Sequence, residues 1–220
     1  MARTTTLPEA TQKVAHKKSR GLSNPYAEEF LEIVSRDPEP GSRAWYKTKS
    51  AWRARMYEHR DRLVFHYSWA IPNTRAITRI ARLGPVVEIG AGAGYWARLI
   101  TEAGGDVIAY DTYPPDQRKN YYCGKLTYHP VLLGGPEKAG AYPDRVLMLC
   151  WPPYQNNMAS ASLKNYTGDT LVYIGELESG CTADRKFFDE IERSWRRVGR
   201  CGLPQWPRMG DAMFIYQRIR

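Results

Sequence analysis

From residue 84 onward, the sequence alternates short apolar runs with stretches of helical periodicity. The apolar runs have the length and composition of buried strands, and they lie between Gly- and Pro-containing segments. They predict strands at 85–89, 106–110, about 126–133, 145–149 and 170–174. The patterns between and after them predict helices at 94–103, 158–166 and 184–198. Strands separated by helices favour an α/β fold with a mainly parallel, doubly wound sheet.

The C-terminal segment has a different pattern. After the helix that ends near Val198, two strand-like pieces at about 200–206 and at 212–219 flank a turn at 207–211. This arrangement predicts a terminal β-hairpin, which places an antiparallel strand in the otherwise parallel sheet.

The chain before the first strand is predicted to be helical. Ser23, Asn24 and Pro25 precede early acids, as at a helix start, and the Pro- and Gly-containing segment 37–41 ends that helix. Residues 42–66 contain neither Gly nor Pro and predict a long helix with a charged face. A break at 68–73 precedes an amphipathic helix at 74–83.

These patterns divide the chain into three parts. Residues 1–20 form a basic polar tail without the apolar stretch of a secretory signal. Residues 21–83 form a helical N-terminal extension or lid, and residues 84–220 form a Rossmann-like domain. A length of 220 residues suits one domain with an extension.

Composition excludes several classes of protein. Hydrophobic residues make up 43% of the chain, mean hydropathy is −0.56, and no apolar run approaches the roughly 20 residues that span a bilayer. Membrane insertion is therefore not expected. The four cysteines are far apart without a C-x-x-C pair, so they suggest neither a zinc site nor a disulfide framework. The prediction is a cytoplasmic protein of undetermined oligomeric state.

The net charge of +9 is concentrated near the N-terminus. Residues 1–83 carry 16 Lys and Arg against 8 Asp and Glu, whereas residues 84–220 carry 16 against 15. The long helix supplies seven basic residues: Arg43, Lys47, Lys49, Arg53, Arg55, Arg60 and Arg62. Four aromatic residues lie among them: Trp45, Tyr46, Trp52 and Tyr57. The segment from Arg43 to Arg62 therefore predicts a nucleic-acid surface; the alternative is a solvated face whose Trp45 and Trp52 pack on the domain.

The strongest local signal is V-V-E-I-G-A-G-A-G-Y-W at 86–96, a strand that runs into a glycine loop and a helix. Glycine allows a tight turn and lets a ligand lie against the backbone. A dinucleotide fingerprint requires Gly at position 95, where this chain has Tyr95. The spacing G-x-G-x-G after an acid instead resembles the first motif of class I methyltransferases. Without its context, the loop could be a tight turn alone.

The resemblance implies S-adenosylmethionine as the cofactor, with Glu88 helping to hold its amino-acid end. Asp111 ends the second predicted strand, where one carboxylate can accept hydrogen bonds from both ribose hydroxyls. Thr112 or Tyr113 is then expected at the adenine.

A second motif, C-W-P-P-Y, follows the fourth predicted strand. It resembles the D/N-P-P-Y motif of methyltransferases that modify nitrogen atoms, but Trp151 replaces the polar residue and cannot accept a hydrogen bond from an amine. The backbone carbonyls of Trp151 and Pro152 remain candidates for orienting an acceptor, with Pro153 behind them, and Tyr154 for stacking on it. The alternative is a rigid Pro-Pro turn. After the fifth predicted strand, Glu176 is a candidate general base or ligand of a basic substrate.

Other segments within residues 65–220 resemble a methyltransferase-like family of the same superfamily. They are Tyr67–Asn73, Val87–Gly92, Asp106–Asp111, Cys150–Tyr154, Gly180–Asp184 and Pro204–Pro207. The resemblance implies a Rossmann-like class I methyltransferase fold with a seven-stranded sheet and no metal ion. The residues expected at the cofactor are Glu88, Gly90, Ala91, Gly92, Gly94, Tyr95, Trp96, Asp111, Thr112 and Cys150, with Tyr67, Trp69 and Asn73 in a lid.

Two functions follow from these motifs. The first is methyl transfer from S-adenosylmethionine to an unknown acceptor; the basic extension favours nucleic acid, and a small molecule or a protein is also compatible. The alternative is a non-catalytic nucleic-acid-binding protein with a methyltransferase-like fold, which the replacement at Trp151 suggests.

Overall fold

A computed structural model describes residues 22–36, 43–115, 120–178 and 180–220. The predicted tail at 1–20 lies outside the described residues. The α-helices are α1 (Pro25–Ser35), α2 (Arg43–His66), α3 (Thr74–Ala81), α4 (Tyr95–Glu102), α5 (Met158–Asn165) and α6 (Arg185–Ser194). The strands are β1 (Val86–Ile89), β2 (Val107–Asp111), β3 (Val131–Leu133), β4 (Val146–Cys150), β5 (Thr170–Gly175), β6 (Trp195–Gly202) and β7 (Ala212–Arg218). A short 3₁₀ helix occupies Pro136–Ala141.

The described strands form one seven-stranded sheet in the order β3-β2-β1-β4-β5-β7-β6. The five strands from β3 to β5 are parallel, whereas β7 is antiparallel to both β5 and β6. This order, with a reversed β7 inserted beside β5, is that of the class I methyltransferase fold. The predicted α/β fold and its C-terminal antiparallel hairpin are therefore confirmed.

Helices cover both faces of the sheet. Apolar side chains of α1, α2, α3 and α4 form one core with the sheet, and those of α5 and α6 form the other. The described part of the N-terminal extension therefore belongs to the first face. It is fastened there by buried hydrogen bonds, in which the Tyr95 hydroxyl donates to Asn24 Oδ1 at 2.9 Å and Trp206 Nε1 donates to the Tyr26 hydroxyl at 3.0 Å.

The prediction was wrong at the start of the hairpin. The helix ends at Ser194 instead of Val198, and the strand begins at Trp195 instead of near residue 200. The indole of Trp195 explains the change, because it stacks on Tyr166 at 6.3 Å and lies under the Arg218 guanidinium at 4.3 Å. These tertiary contacts favour pairing with β7 over another helical turn.

The third strand is also shorter than predicted, because it begins at Val131 instead of near residue 126. Tyr128 accounts for this difference. Its amide donates to Ala93 O at 2.9 Å and its hydroxyl donates to His66 O at 2.9 Å. The segment before β3 is therefore attached to the glycine loop and the end of α2, not to the sheet.

Candidate functional site

A pocket of about 260 Å³ opens at the carboxyl ends of β1, β2 and β4. Ligands of open α/β sheets bind at this edge. Its floor is the glycine loop with Glu88 and Trp96. Its walls come from residues 67–69 after α2, from residues 111–113 and 120–123 at and beyond the end of β2, and from residues 150–158 at and beyond the end of β4. Tyr67, Trp69, Thr112 and Cys150, which are expected at the cofactor from the sequence, lie in these walls.

The glycine loop adopts backbone conformations that L side chains rarely take. The φ angles are +77° at Gly90, +54° at Gly92 and +73° at Gly94, where α4 begins. The amides of Gly90 and Ala91 both donate to Tyr110 O, at 2.8 and 3.0 Å, which fixes the loop over the end of β2. The loop backbone lines the pocket, and Met158 Cε occupies the position of the missing Cβ at Gly90.

Gly94→Ala is expected to destabilise the fold by about 3 kcal/mol, because left-handed strain and overpacking combine. A Cβ at Gly94 would lie 3.0 Å from His129 Cβ and 3.1 Å from His129 O. Gly104→Ala is the matched control, since Gly104 also has a positive φ of +92° but has no atom within 4 Å of that position. Urea denaturation of both variants measures the difference, and equal destabilisation would contradict the packing argument.

Glu88 is a buried carboxyl with no hydrogen-bond partner among the described residues. It lies in β1 at 1% exposure, and its Oε2 atom is buried with no hydrogen bond. Burial, with a smaller contribution from the negative charge of Asp111, raises the pKa of Glu88 to about 8. A carboxylate at this position needs a donor or a cation, which the surrounding protein does not supply.

Asp111, in contrast, is hydrogen-bonded on both oxygens. Oδ2 accepts from the Gly92 amide at 2.8 Å, and Oδ1 accepts from the Tyr113 amide at 2.8 Å and from Asn120 Nδ2 at 3.3 Å. Burial raises the pKa of Asp111, while the two backbone bonds act to lower it. The carboxylate therefore holds together the glycine loop and the loop that follows β2.

Two tryptophans close the pocket at the β4 side. The rings of Trp69 and Trp151 stack with centroids 5.5 Å apart. The Arg60 guanidinium lies 5.2 Å from the Trp69 ring centroid and 5.9 Å from that of Trp151, within the range of cation–π attraction. Trp151 itself has a φ of +49°, a conformation that is costly for a bulky residue.

Asp211, which the sequence patterns did not single out, supports this aromatic wall. It is 3% exposed, and its Oδ2 accepts a hydrogen bond from Trp151 Nε1 at 3.1 Å. Burial raises the pKa of Asp211 to about 6, although the bond from Trp151 acts to lower it. The only sequence signal is an isolated acid at the start of the last strand.

Three residues of the predicted acceptor set lie outside the pocket wall. The Gly210 amide donates to Glu176 Oε1 at 2.6 Å, and the Cys181 amide donates to Glu176 Oε2 at 2.9 Å. Both oxygens of this carboxylate are therefore already hydrogen-bonded within the protein. Although burial raises the pKa of Glu176, these bonds outweigh it and hold the pKa below its usual value. The Pro152 carbonyl accepts from the Ala183 amide at 2.9 Å, and Tyr154 is exposed.

Three residues of the predicted cofactor set also lie outside the pocket wall. Gly94 caps α4, and Tyr95 turns its ring and hydroxyl toward α1. Asn73 caps α3 by accepting from the Ala76 amide at 2.8 Å, and it donates to Gly202 O at 2.9 Å. Conversely, Asn120, Tyr122, Cys123, Asn156 and Met158 line the pocket without having been predicted. They come from loops and, for Met158, from the start of α5, and the sequences of these segments carry no recognisable motif.

The basic helix divides into residues with different surroundings. Arg60 points inward, with its side chain only 12% exposed, and Arg62 pairs with Glu29. Lys47, Arg53 and Arg55 are exposed, whereas Trp52 is partly buried against the core. The side chains of Arg43, Trp45, Tyr46 and Lys49 lie outside the described residues.

Across the described ranges, no helix combines the length and apolar composition that crossing a membrane requires. In the same part of the chain, no three His, Cys, Asp or Glu side chains come together in a way that could hold a metal ion.

Several solved structures are similar to this chain. One is a mutant of MtNAS in complex with S-adenosylmethionine, at 16% identity and a TM-score of 0.44, covering 89% of this chain and 72% of its own. The N-methyltransferase NodS from Bradyrhizobium japonicum is 12% identical over 66% of this chain and 92% of its own, with a TM-score of 0.43. A putative RNA methyltransferase from Pyrococcus horikoshii is 12% identical over 88% of this chain and 99% of its own, with a TM-score of 0.41. No protein-family model and no curated protein matches the chain.

Proposed function

We propose that this chain is an S-adenosylmethionine-dependent methyltransferase. The observation that carries the proposal is the unpaired carboxyl of Glu88, buried beside a glycine loop in a pocket that also contains Asp111. An unpartnered buried carboxyl is costly in the free protein, and a ligand that carries a cationic amino group would relieve that cost.

The acceptor groups of the pocket fit this cofactor. Glu88 would hold the ammonium group, and the bare backbone of Gly92 would allow close approach, whereas Met158 Cε occupies the side-chain position at Gly90. Asp111 would accept from one ribose hydroxyl, because a carboxylate has about four acceptor sites and three are now in use. Thr112 and Tyr113 follow Asp111 in the pocket wall, where the adenine would lie.

The cofactor supplies a methyl group on a sulfonium, which an acceptor atom can attack directly without a covalent enzyme intermediate. The protein must therefore exclude competing nucleophiles and position the acceptor. Burial raises the pKa of Cys150 well above its usual value, so its thiol stays protonated beside the pocket. Trp69 and Trp151 present an aromatic surface at the β4 side, and Asp211 fixes the Trp151 ring through its Nε1 atom.

The acceptor is proposed to be a nucleic acid, with small molecules and proteins as the alternatives. The net charge of +9 supports this part of the proposal, because lysine and arginine side chains are attracted to the phosphates of a nucleic acid. The Trp69 and Trp151 rings are compatible with any flat acceptor group.

Two measurements test the proposal. Calorimetry should detect binding of S-adenosylmethionine and of its demethylated product; a folded protein that binds neither would overturn the proposal. Transfer of label from the methyl-tritiated cofactor should then be followed over DNA, RNA, protein and a cell extract. Label in one fraction identifies the acceptor class, whereas binding without transfer to any fraction favours the non-catalytic alternative.

A further inference from the structure

Two stretches of the sequence contain arginines but no acids. Residues 62–87 include four arginines without an Asp or Glu, and residues 193–210 include five. The second stretch does not show in the net charge of residues 84–220, because acids elsewhere in that part of the chain nearly balance its arginines. Such stretches matter if the fold brings them together, because carboxylates close in the sequence lie only at their ends, as Glu190 does for Arg193.

The fold does bring them together at the free edge of the sheet. Arg79 Nη1 of α3 donates to Arg200 O of β6 at 3.3 Å, and the missing Cβ of Gly199 makes room for the Arg79 guanidinium. The resulting surface, here called the arginine edge, extends around both sides of the edge strand. Arg75 and Arg79 of α3, Arg82 directly after α3 and Arg196 of β6 lie on one face of the sheet, and Arg197 and Arg200 of β6, which pair with Tyr216 and Phe214, lie on the other.

The arginine edge is exposed and not neutralised. All its members except the half-buried Arg79 are exposed, and within the described residues none of the six forms an ion pair with a carboxylate. The Arg197 guanidinium lies 5.9 Å from the centroid of the Phe214 ring. In contrast, Arg36, Arg185, Arg193 and Arg220 elsewhere on the surface all pair with acids.

We propose that the arginine edge binds the phosphate backbone of a nucleic acid. Arginine presents a planar fork of donors that matches phosphate oxygens, and the surface contains no lysine. Arg75 and Arg82 are separated by about 10 Å along the helix axis. Arg196 and Arg200 are separated by about 10 Å along the strand, because a β-bulge sets four residues of β6 against three of β7. The charge thus extends along the edge strand, which suits a linear polyanion.

The composition of the surface argues against two other partners. A helix that binds a membrane surface needs an apolar face in the lipid, but Ala76, Ile77 and Ile80 of α3 are buried in the core. Protein interfaces have aromatic or apolar centres, whereas the large apolar side chains exposed on this surface are Val198 of β6 and Leu83, which follows Arg82. Protein–nucleic acid interfaces are polar and strongly positive, as the arginine edge is.

The arginine edge leads toward the pocket. In the sheet register, Gly202 at the end of β6 pairs with Ala212, which in turn pairs with Gly175 at the carboxyl end of β5. Asp211, which bonds to Trp151, immediately precedes Ala212. A strand bound along the edge therefore extends to the acceptor side of the site, although the binding itself does not depend on methyl transfer.

The test compares variants with equal charge changes. The edge variant carries Arg75→Gln, Arg82→Gln, Arg196→Gln and Arg200→Gln, all at exposed positions. Its matched control carries Arg36→Gln, Arg185→Gln, Arg193→Gln and Arg220→Gln, so both lose four positive charges. Fluorescence anisotropy with labelled single-stranded and duplex RNA and DNA should show about tenfold weaker binding for the edge variant alone. For a single strand, four lost contacts should also reduce the slope of log K against log salt by about 3.

Several outcomes would overturn the proposal. Equal losses in both quadruple variants would indicate a net-charge effect, and a loss confined to Lys47→Gln, Arg53→Gln and Arg55→Gln would assign binding to α2. Wild-type protein that binds anionic vesicles but no nucleic acid would identify a membrane surface. Unchanged binding together with self-association of the edge variant in light scattering would show that these arginines only protect the edge strand β6.

Discussion

Glu88→Gln is expected to make the cofactor-free protein more stable than wild type at about pH 8, while weakening its binding of S-adenosylmethionine. In wild type, burial raises the pKa of Glu88 from 4.5 to about 8. Below 4.5 the carboxyl is protonated in both the folded and unfolded states, so it imposes no ionisation cost. As the pH rises toward 8, the unfolded state gains from ionisation and the folded state does not.

The stability contribution of Glu88 is therefore fully present below about pH 4.5 and lost progressively up to about pH 8. Glutamine does not titrate, so the difference between the two proteins should grow with pH to the order of 4 kcal/mol. Urea denaturation across this pH range measures it. Glu102→Gln is the matched control, because its side chain is 42% exposed; a pH-independent difference for Glu88→Gln would contradict the buried-carboxyl argument.

The same substitution should weaken cofactor binding about 30-fold, because a charge-assisted hydrogen bond contributes about 2 kcal/mol. Wild-type Glu88 is protonated at neutral pH and must release its proton to pair with an ammonium group. Calorimetry in buffers of different ionisation enthalpy should detect that proton release in wild type and not in Glu88→Gln. Proton release that persists in the variant would assign it to another group.

The glycine loop could be predicted because its signal is local. Gly90 and Gly92 lie between an apolar strand and a helix start, and their positive φ angles require the residue type that the sequence shows. Asp111 was predictable for a related reason, since the end of a parallel strand places its side chain at the ligand edge. Neither prediction required knowledge of distant contacts.

The rest of the site depends on residues that only the fold brings together. Arg60 and Trp151 are far apart in the chain. The sequence of α2 is compatible with a solvated position for Arg60, whereas in the structure its guanidinium lies over the rings of Trp69 and Trp151. The start of β6 at Trp195 also depends on a contact distant in the sequence, because the stacking of Trp195 on Tyr166 overrides the helical pattern of the local sequence. Charge counted along the chain likewise favoured α2 and did not indicate that α3 and β6 meet.

Asp111→Asn is expected to reduce the affinity for S-adenosylmethionine about 100-fold, because the carboxylate acts on both the ligand and the loop. An amide has one acceptor oxygen, so Asn cannot accept from both the Gly92 and Tyr113 amides, which lie on opposite oxygens of Asp111. One of the two amides must lose its bond. Hydrogen exchange at these amides should therefore accelerate together with the loss of binding measured by calorimetry.

Asp106→Asn provides the control for this prediction. Asp106 immediately precedes β2, but it is 60% exposed and bonds to Arg145 at 2.7 Å, so its loss should cost no more than about 1 kcal/mol and leave affinity unchanged. Global stability does not distinguish the cases, because neutralising the buried Asp111 offsets part of the lost hydrogen bonding. If Asp111→Asn binds the cofactor like wild type, the pocket must hold the ribose through other groups. Faster exchange with unchanged affinity would restrict Asp111 to ordering the loop.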